Sequence, residues 1–122
     1  MQNKYFEKIA KLLEEASPKL AATYRLKFKN VFGAIGGYIN GRIFISCGKF
    51  GVALKLPAQT LESLFKEKLV KHLKYFPGGH IKKEYAVLPK GIIENKKLFK
   101  KLVDESIKYA YTRKDRIINY SM

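Results

Sequence analysis

VFGAIGGYINGRIFISCGKFGVALKLP, residues 31–57, is the stretch whose reading decides the fold. It reads as three short strands joined by two tight turns. Asn40-Gly41 sits between Ile39 and Arg42, and this pair suits a two-residue type I′ hairpin turn, where both central residues need φ > 0. The flanking residues are rich in Ile, Phe, Tyr and Val, which fit a pleated, half-buried surface. Gly48-Lys49-Phe50-Gly51 turns the chain back into residues 52–56, and Pro57 ends the run because it cannot donate to a ladder.

Outward from this stretch, the period of two extends back to residue 23. Tyr24, Leu26, Phe28 and Phe32 alternate with Arg25, Lys27, Lys29 and Val31, so one face is aromatic and the other basic. Alternate residues on a strand lie roughly 7 Å apart, near the phosphate spacing of a nucleic-acid strand. Arg25, Lys27 and Lys29 are therefore the most ordered basic row in the chain. A solvated sheet face or a charge-protected edge strand accounts for the same pattern.

Before the strands, Tyr5, Ile9, Leu12, Leu13 and Ala16 form one stripe of a helix, and Ser17-Pro18 ends it, with Ser17 placed to cap a second short turn. After them, Leu61, Leu64, Phe65 and Leu69 predict a helix from 58 to about 70. Pro77-Gly78-Gly79 marks a loop, residues 82–88 a last strand ended by Pro89, and residues 95 to about 113 a closing helix. Its buried face is Leu98, Phe99, Leu102, Val103, Ser106, Tyr109 and Ala110, while Lys96, Lys97, Lys100 and Lys101 lie largely off it. Helices at the ends of a strand run predict an α+β fold. The expectation is an antiparallel sheet of four to five strands with an N-terminal helix, a middle helix and a C-terminal helix. All 122 residues read as a single domain with a basic tail at 113–122.

The charge is the most unusual property: 21 Lys and 4 Arg against 10 Asp and Glu give +15. Lysine acts as a point charge, whereas base-edge reading favours the arginine fork. Any nucleic-acid binding is therefore expected to be non-specific, through Arg25, Lys27, Lys29, Lys96, Lys97, Lys100 and Lys101. A compositional bias toward lysine is the plain alternative. No apolar run approaches the roughly 18 residues needed to span a bilayer, and the single cysteine allows no internal disulfide. The expectation is a cytoplasmic protein without a membrane anchor.

Catalytic chemistry has no signature here. Cys47 lies in a strand with no local tie to His72 or His80, and reads as a small buried hydrophobe. Two histidines and one cysteine without regular spacing supply no metal set. Gly33-x-x-Gly36-Gly37 leads into a strand rather than opening a helix, which excludes a phosphate loop and predicts a turn or bulge. The expectation is a non-enzyme with no cofactor, metal or small-molecule substrate.

Phe32-Gly33, Gly36-Gly37-Tyr38-x-Asn40-Gly41-x-x-Phe44, Leu54-Lys55-Leu56-Pro57 and Lys83-Glu84-Tyr85-x-x-Leu88-Pro89, in that order, resemble the N-terminal domain of the TfoX/Sxy family over roughly residues 24–112. The resemblance implies the same element order, with Phe32, Gly33, Gly37, Tyr38, Asn40, Gly41, Lys55, Tyr85 and Pro89 as structural positions. It implies a stand-alone copy of that domain without the family's C-terminal helical one. That family's namesakes regulate DNA-uptake competence, so it further implies a small regulatory or adaptor module acting through protein contact. A protein partner or a homodimer would use the apolar residues outside the core stripes: Phe50, Tyr75, Phe76, Tyr111, Ile117, Ile118 and Tyr120. A non-specific nucleic-acid-binding role for the lysine-rich surface is the alternative.

Overall fold

A computed structural model describes residues 3–67 and 69–112. The chain begins with α1 (Lys4–Ala16) and a single turn, α2 (Leu20–Thr23). Four strands follow: β1 (Leu26–Val31), β2 (Ala34–Ile39), β3 (Arg42–Gly48) and β4 (Gly51–Lys55). Then come α3 (Ala58–Lys66), β5 (Lys71–Leu73), β6 (Lys82–Leu88), α4 (Lys90–Glu94) and α5 (Lys96–Thr112). The six strands make one antiparallel sheet in the order β1-β2-β3-β4-β6-β5. This is the α+β class expected, with one more strand and two more short helices. No helix among the described residues is long and apolar enough to cross a membrane.

Two type I′-like turns build the meander. Asn40 at φ 49° and Gly41 at φ 83° join β2 to β3, and Asn40 Oδ1 accepts a hydrogen bond from the Arg25 backbone N–H (3.2 Å). Phe32 at φ 49° and Gly33 at φ 85° do the same between β1 and β2. The strand predicted through residue 32 therefore ends at Val31, and Phe32 occupies a turn position. The reason is backbone geometry: a two-residue turn of this type needs positive φ at both positions, which Gly33 accepts without cost and Phe32 is made to share.

One side of the sheet carries the main core. Ile35, Ile39, Ile45, Cys47, Val52, Leu54, Ala86 and Leu88 meet Ile9 and Leu13 of α1 and Phe99, Leu102, Val103 and Ile107 of α5. Ile9 and Val103 are completely buried, and each such side chain contributes about 1.5–3 kcal/mol. A β-bulge sits where Gly37 faces Ile45 but Tyr38 faces Ile43, leaving Phe44 as the extra residue. The bulge turns Phe44 into the helix-side core beside Ile45. Gly37 makes room for Ile45 beside the bulge: a Cβ there would lie 2.7 Å from Ile45 Cγ2. The buried Ser106 hydroxyl of α5 lies 2.7 Å from both the Phe44 and the Lys55 carbonyl oxygens. It serves backbone groups that the interrupted ladder leaves open.

Several local expectations shift. Asn3 caps α1 through its side chain. Ser17 is the C-cap of α1 rather than the N-cap of α2, which begins after Lys19. The middle helix stops at Lys66 instead of near 70, because Val70 is drawn into the core and residues 71–73 pair with β6. Asn95 caps α5 by accepting from the Leu98 N–H (3.1 Å).

Candidate functional site

The helices cover one side of the sheet, and the other side carries a smaller aromatic layer. Ala53, Leu73 and Tyr85 form its buried floor, with Ile43, Phe50, Tyr75 and Val87 packed on them. Three turns deliver the upper rings: the β1–β2 turn brings Phe32, the β3–β4 turn Phe50, and the loop after β5 brings Tyr75 and Phe76. That loop folds back over the sheet because the Tyr75 hydroxyl meets Ser46 Oγ of β3 at 2.7 Å. The result is a chain of rings, Phe50–Tyr75–Phe32–Phe76, with each successive pair of centroids 5.6 Å apart. Tilted and edge-to-face contacts of this kind are the favoured aromatic geometry. At the outer end Phe32 is 67% exposed and Phe76 48%.

Charge on this face has one dominant sign. Lys27 and Lys29 of β1 stand opposite Tyr38 and Gly36, and Lys29 Nζ lies 5.2 Å from the Tyr38 ring centroid. Lys49 adjoins Phe50, Lys71 stands opposite Val87, and Lys83 lies two residues from Tyr85 on β6. Lys55, half-buried opposite Tyr85, sits 5.7 Å from that ring and 3.5 Å from Glu84. Among the described residues Glu84 is the one carboxylate on a strand. Burial pushes the Tyr38 hydroxyl above the usual tyrosine pKa, and neighbouring Tyr75 adds to the rise.

The structure therefore brings together residues that the sequence divided between two candidate surfaces. Lys27 and Lys29 share the helix-free face with Phe50, Tyr75 and Phe76. Arg25 lies exposed just before β1. Lys96, Lys97, Lys100 and Lys101 are on α5, in the layer across the sheet. Lys100 there is engaged, donating to the Ala16 carbonyl (3.2 Å) and pairing with Asp104 (3.3 Å). Tyr111 is also elsewhere, edge-on to Tyr24 at 5.6 Å. Ile117, Ile118 and Tyr120 lie outside the described residues.

Sequence reasoning gave Phe32 a purely structural role, and its Phe-Gly dipeptide carried the signal for a turn. Of the other positions in that motif set, Gly33 and Asn40-Gly41 make turns, Pro89 precedes α4 as its N-cap, and Tyr38, Lys55 and Tyr85 lie on the helix-free face. Cys47 is completely buried on the helix side, and burial raises its thiol pKa, against a smaller lowering from Lys8. His72 stacks on Phe65 at 4.3 Å, on another part of the surface. No group of three or more His, Cys, Asp or Glu among the described residues is arranged to hold a metal ion. Comparison of the chain with protein-family models, with curated proteins and with solved structures finds no match.

Proposed function

We propose that this protein is a non-catalytic binding module that engages nucleic acid, without sequence selectivity, on the helix-free face of its sheet. The observation that carries the reading is the joint placement of exposed rings and lysines on the helix-free face of the sheet. Phosphates are attracted by Lys27, Lys29, Lys49, Lys71 and Lys83, and the rings offer apolar contact between them. Point charges on flexible stems follow a phosphate backbone without reading bases. The chain's overall charge of +15 steers any polyanion to the surface.

A polarisation titration with labelled DNA at several salt concentrations tests this. Five phosphate contacts give a log-log slope of about −4. Reversing Lys27 and Lys29 to Glu should lower its magnitude by about 2. Reversing Lys96 and Lys97, in the helix layer, should leave it nearly unchanged. No binding at low salt would remove the reading. The regulatory or adaptor role implied by the family resemblance is the second reading, favoured by the apolar exposure of Phe32 and Phe76. It predicts a protein contact that persists at high salt.

A further inference from the structure

The conformation of Phe32 is at odds with its setting. At the first position of a two-residue hairpin turn, Asn, Asp or Gly is favoured because φ is positive there. Phe32 instead holds a bulky side chain at φ 49°, a genuine outlier for such a residue. Burial does not offset the strain, because the residue is 67% exposed. Its described ring contacts are Tyr75 and Phe76, each at 5.6 Å between centroids. Folding alone would be served better by Asn at this position. Strain maintained at an exposed ring points to a ligand for that ring.

We infer that the ligand is single-stranded nucleic acid, and that Phe32, with Phe76 beside it, is the platform on which an unpaired base stacks. This rests on the nucleic-acid reading above and narrows it to strands whose bases are free. A base in a duplex has both faces occupied by its neighbours, whereas an unpaired base offers a π-face to an aromatic side chain. Lys29 and Lys27 lie on the same sheet face, beside Tyr38, to receive the flanking phosphates. The β1–β2 turn rather than a strand presents the ring, three residues on from Lys29 at the end of β1. Stacking is indifferent to base identity, which agrees with a surface that carries lysines and no arginine fork on its strands beyond Arg42.

Phe32→Asn separates this role from a structural one. Its turn chemistry suits the site, so the melting temperature should stay level or rise, while affinity for a labelled oligothymidylate of about 20 nucleotides falls about tenfold, the loss of one stacked base. The salt slope should stay unchanged, because no phosphate contact is removed. Phe76→Leu, which keeps apolar bulk but loses the ring, should weaken the same probe several-fold. The intact protein should prefer the oligothymidylate to a duplex of equal length. Equal affinity for both probes, or unaltered single-strand binding by Phe32→Asn and Phe76→Leu, overturns the inference while leaving nucleic-acid binding standing. Failure of the intact protein to bind either probe at low salt overturns both. Dimerisation in light scattering that Phe32→Asn abolishes, without oligonucleotide binding, assigns the ring to protein contact and overturns both too.

Discussion

Replacing Ser106 by Ala should measurably destabilise the fold, although α5 itself gains helix propensity. Ser106 is completely buried, and its Oγ stands 2.7 Å from the carbonyls of Phe44 and Lys55. One hydroxyl proton serves one carbonyl at a time, so the substitution removes about one hydrogen bond. It also leaves the buried Phe44 carbonyl and the part-buried Lys55 carbonyl without that donor, at a cost of about 1–3 kcal/mol. Alanine returns about 0.5 kcal/mol of helix propensity, for a net loss of about 0.5–2.5 kcal/mol. In a domain of this size the midpoint should fall by roughly 2–10 °C. Thermal and urea unfolding followed by circular dichroism measure it, with the urea m-value expected to stay constant. Thr60→Ala is the comparison, since Thr60 makes an equally short bond to Glu105 (2.7 Å) in a less buried place. If Ser106→Ala melts within a degree of the parent, or Thr60→Ala costs more, the account of the bulge as a site stitched by α5 is wrong.

Two further perturbations probe the frame around the candidate face. Gly41→Val places a β-branched residue at φ 83°, where an added Cβ meets nothing within 4 Å. It should still cost at least about 2 kcal/mol from backbone strain alone; a variant melting with the parent would contradict the turn assignment. Alkaline titration tests the two raised pKa values. Tyr38 and Cys47 both hold their protons more tightly folded than unfolded, so their contribution is fully present below the unfolded pKa values, about 8.5 for the thiol and 10 for the phenol. It is lost as pH rises through the folded values. Stability should therefore fall above about pH 8.5, first through Cys47 and then through Tyr38, and Cys47→Ala should remove the earlier part in urea melts taken from pH 7 to 11. A flat profile for the parent would mean that neither group is held protonated by the fold.

Much of the fold is written in local chemistry. Asn40-Gly41 announces its hairpin because only a few residue pairs tolerate that backbone, and the stripe through Ile9 and Leu13 announces α1 by its period. The closing helix is legible for the same reason. Other features depend on partners far along the chain. Phe44 breaks the strand alternation, and only the bulge opposite Tyr38 explains why it and Ile45 enter the same core. Residues 71–73 are too few to show a period, and β6 makes them a strand. The aromatic face itself depends on Tyr75 reaching Ser46, 29 residues earlier. Phe50, Tyr75 and Phe76 were recognisable as surplus apolar residues, but their union with Lys27 and Lys29 depends on strand order and on which way each turn faces. Phe32 was obscured because an aromatic residue at the end of an alternating run looks like one more strand position.

The guanidinium of Arg42 reaches the Ala110 and Tyr111 carbonyls at 3.5 and 3.3 Å, tying the Asn40-Gly41 hairpin to the last turn of α5. The order of folding follows from that distance along the chain. β1 to β4 pair as successive hairpins over short loops, each closing on a microsecond scale, whereas α5 must wait for some 70 residues of intervening chain to be arranged. The meander should form the early nucleus and α5 should dock late, so mutations along α5 should mainly accelerate unfolding. In native-state hydrogen exchange the amides of α5 should open as a cooperative unit at lower free energy than those of β2 and β3. The fold would then open by first releasing the helix that shields its main core, while the central strands of the meander stay paired.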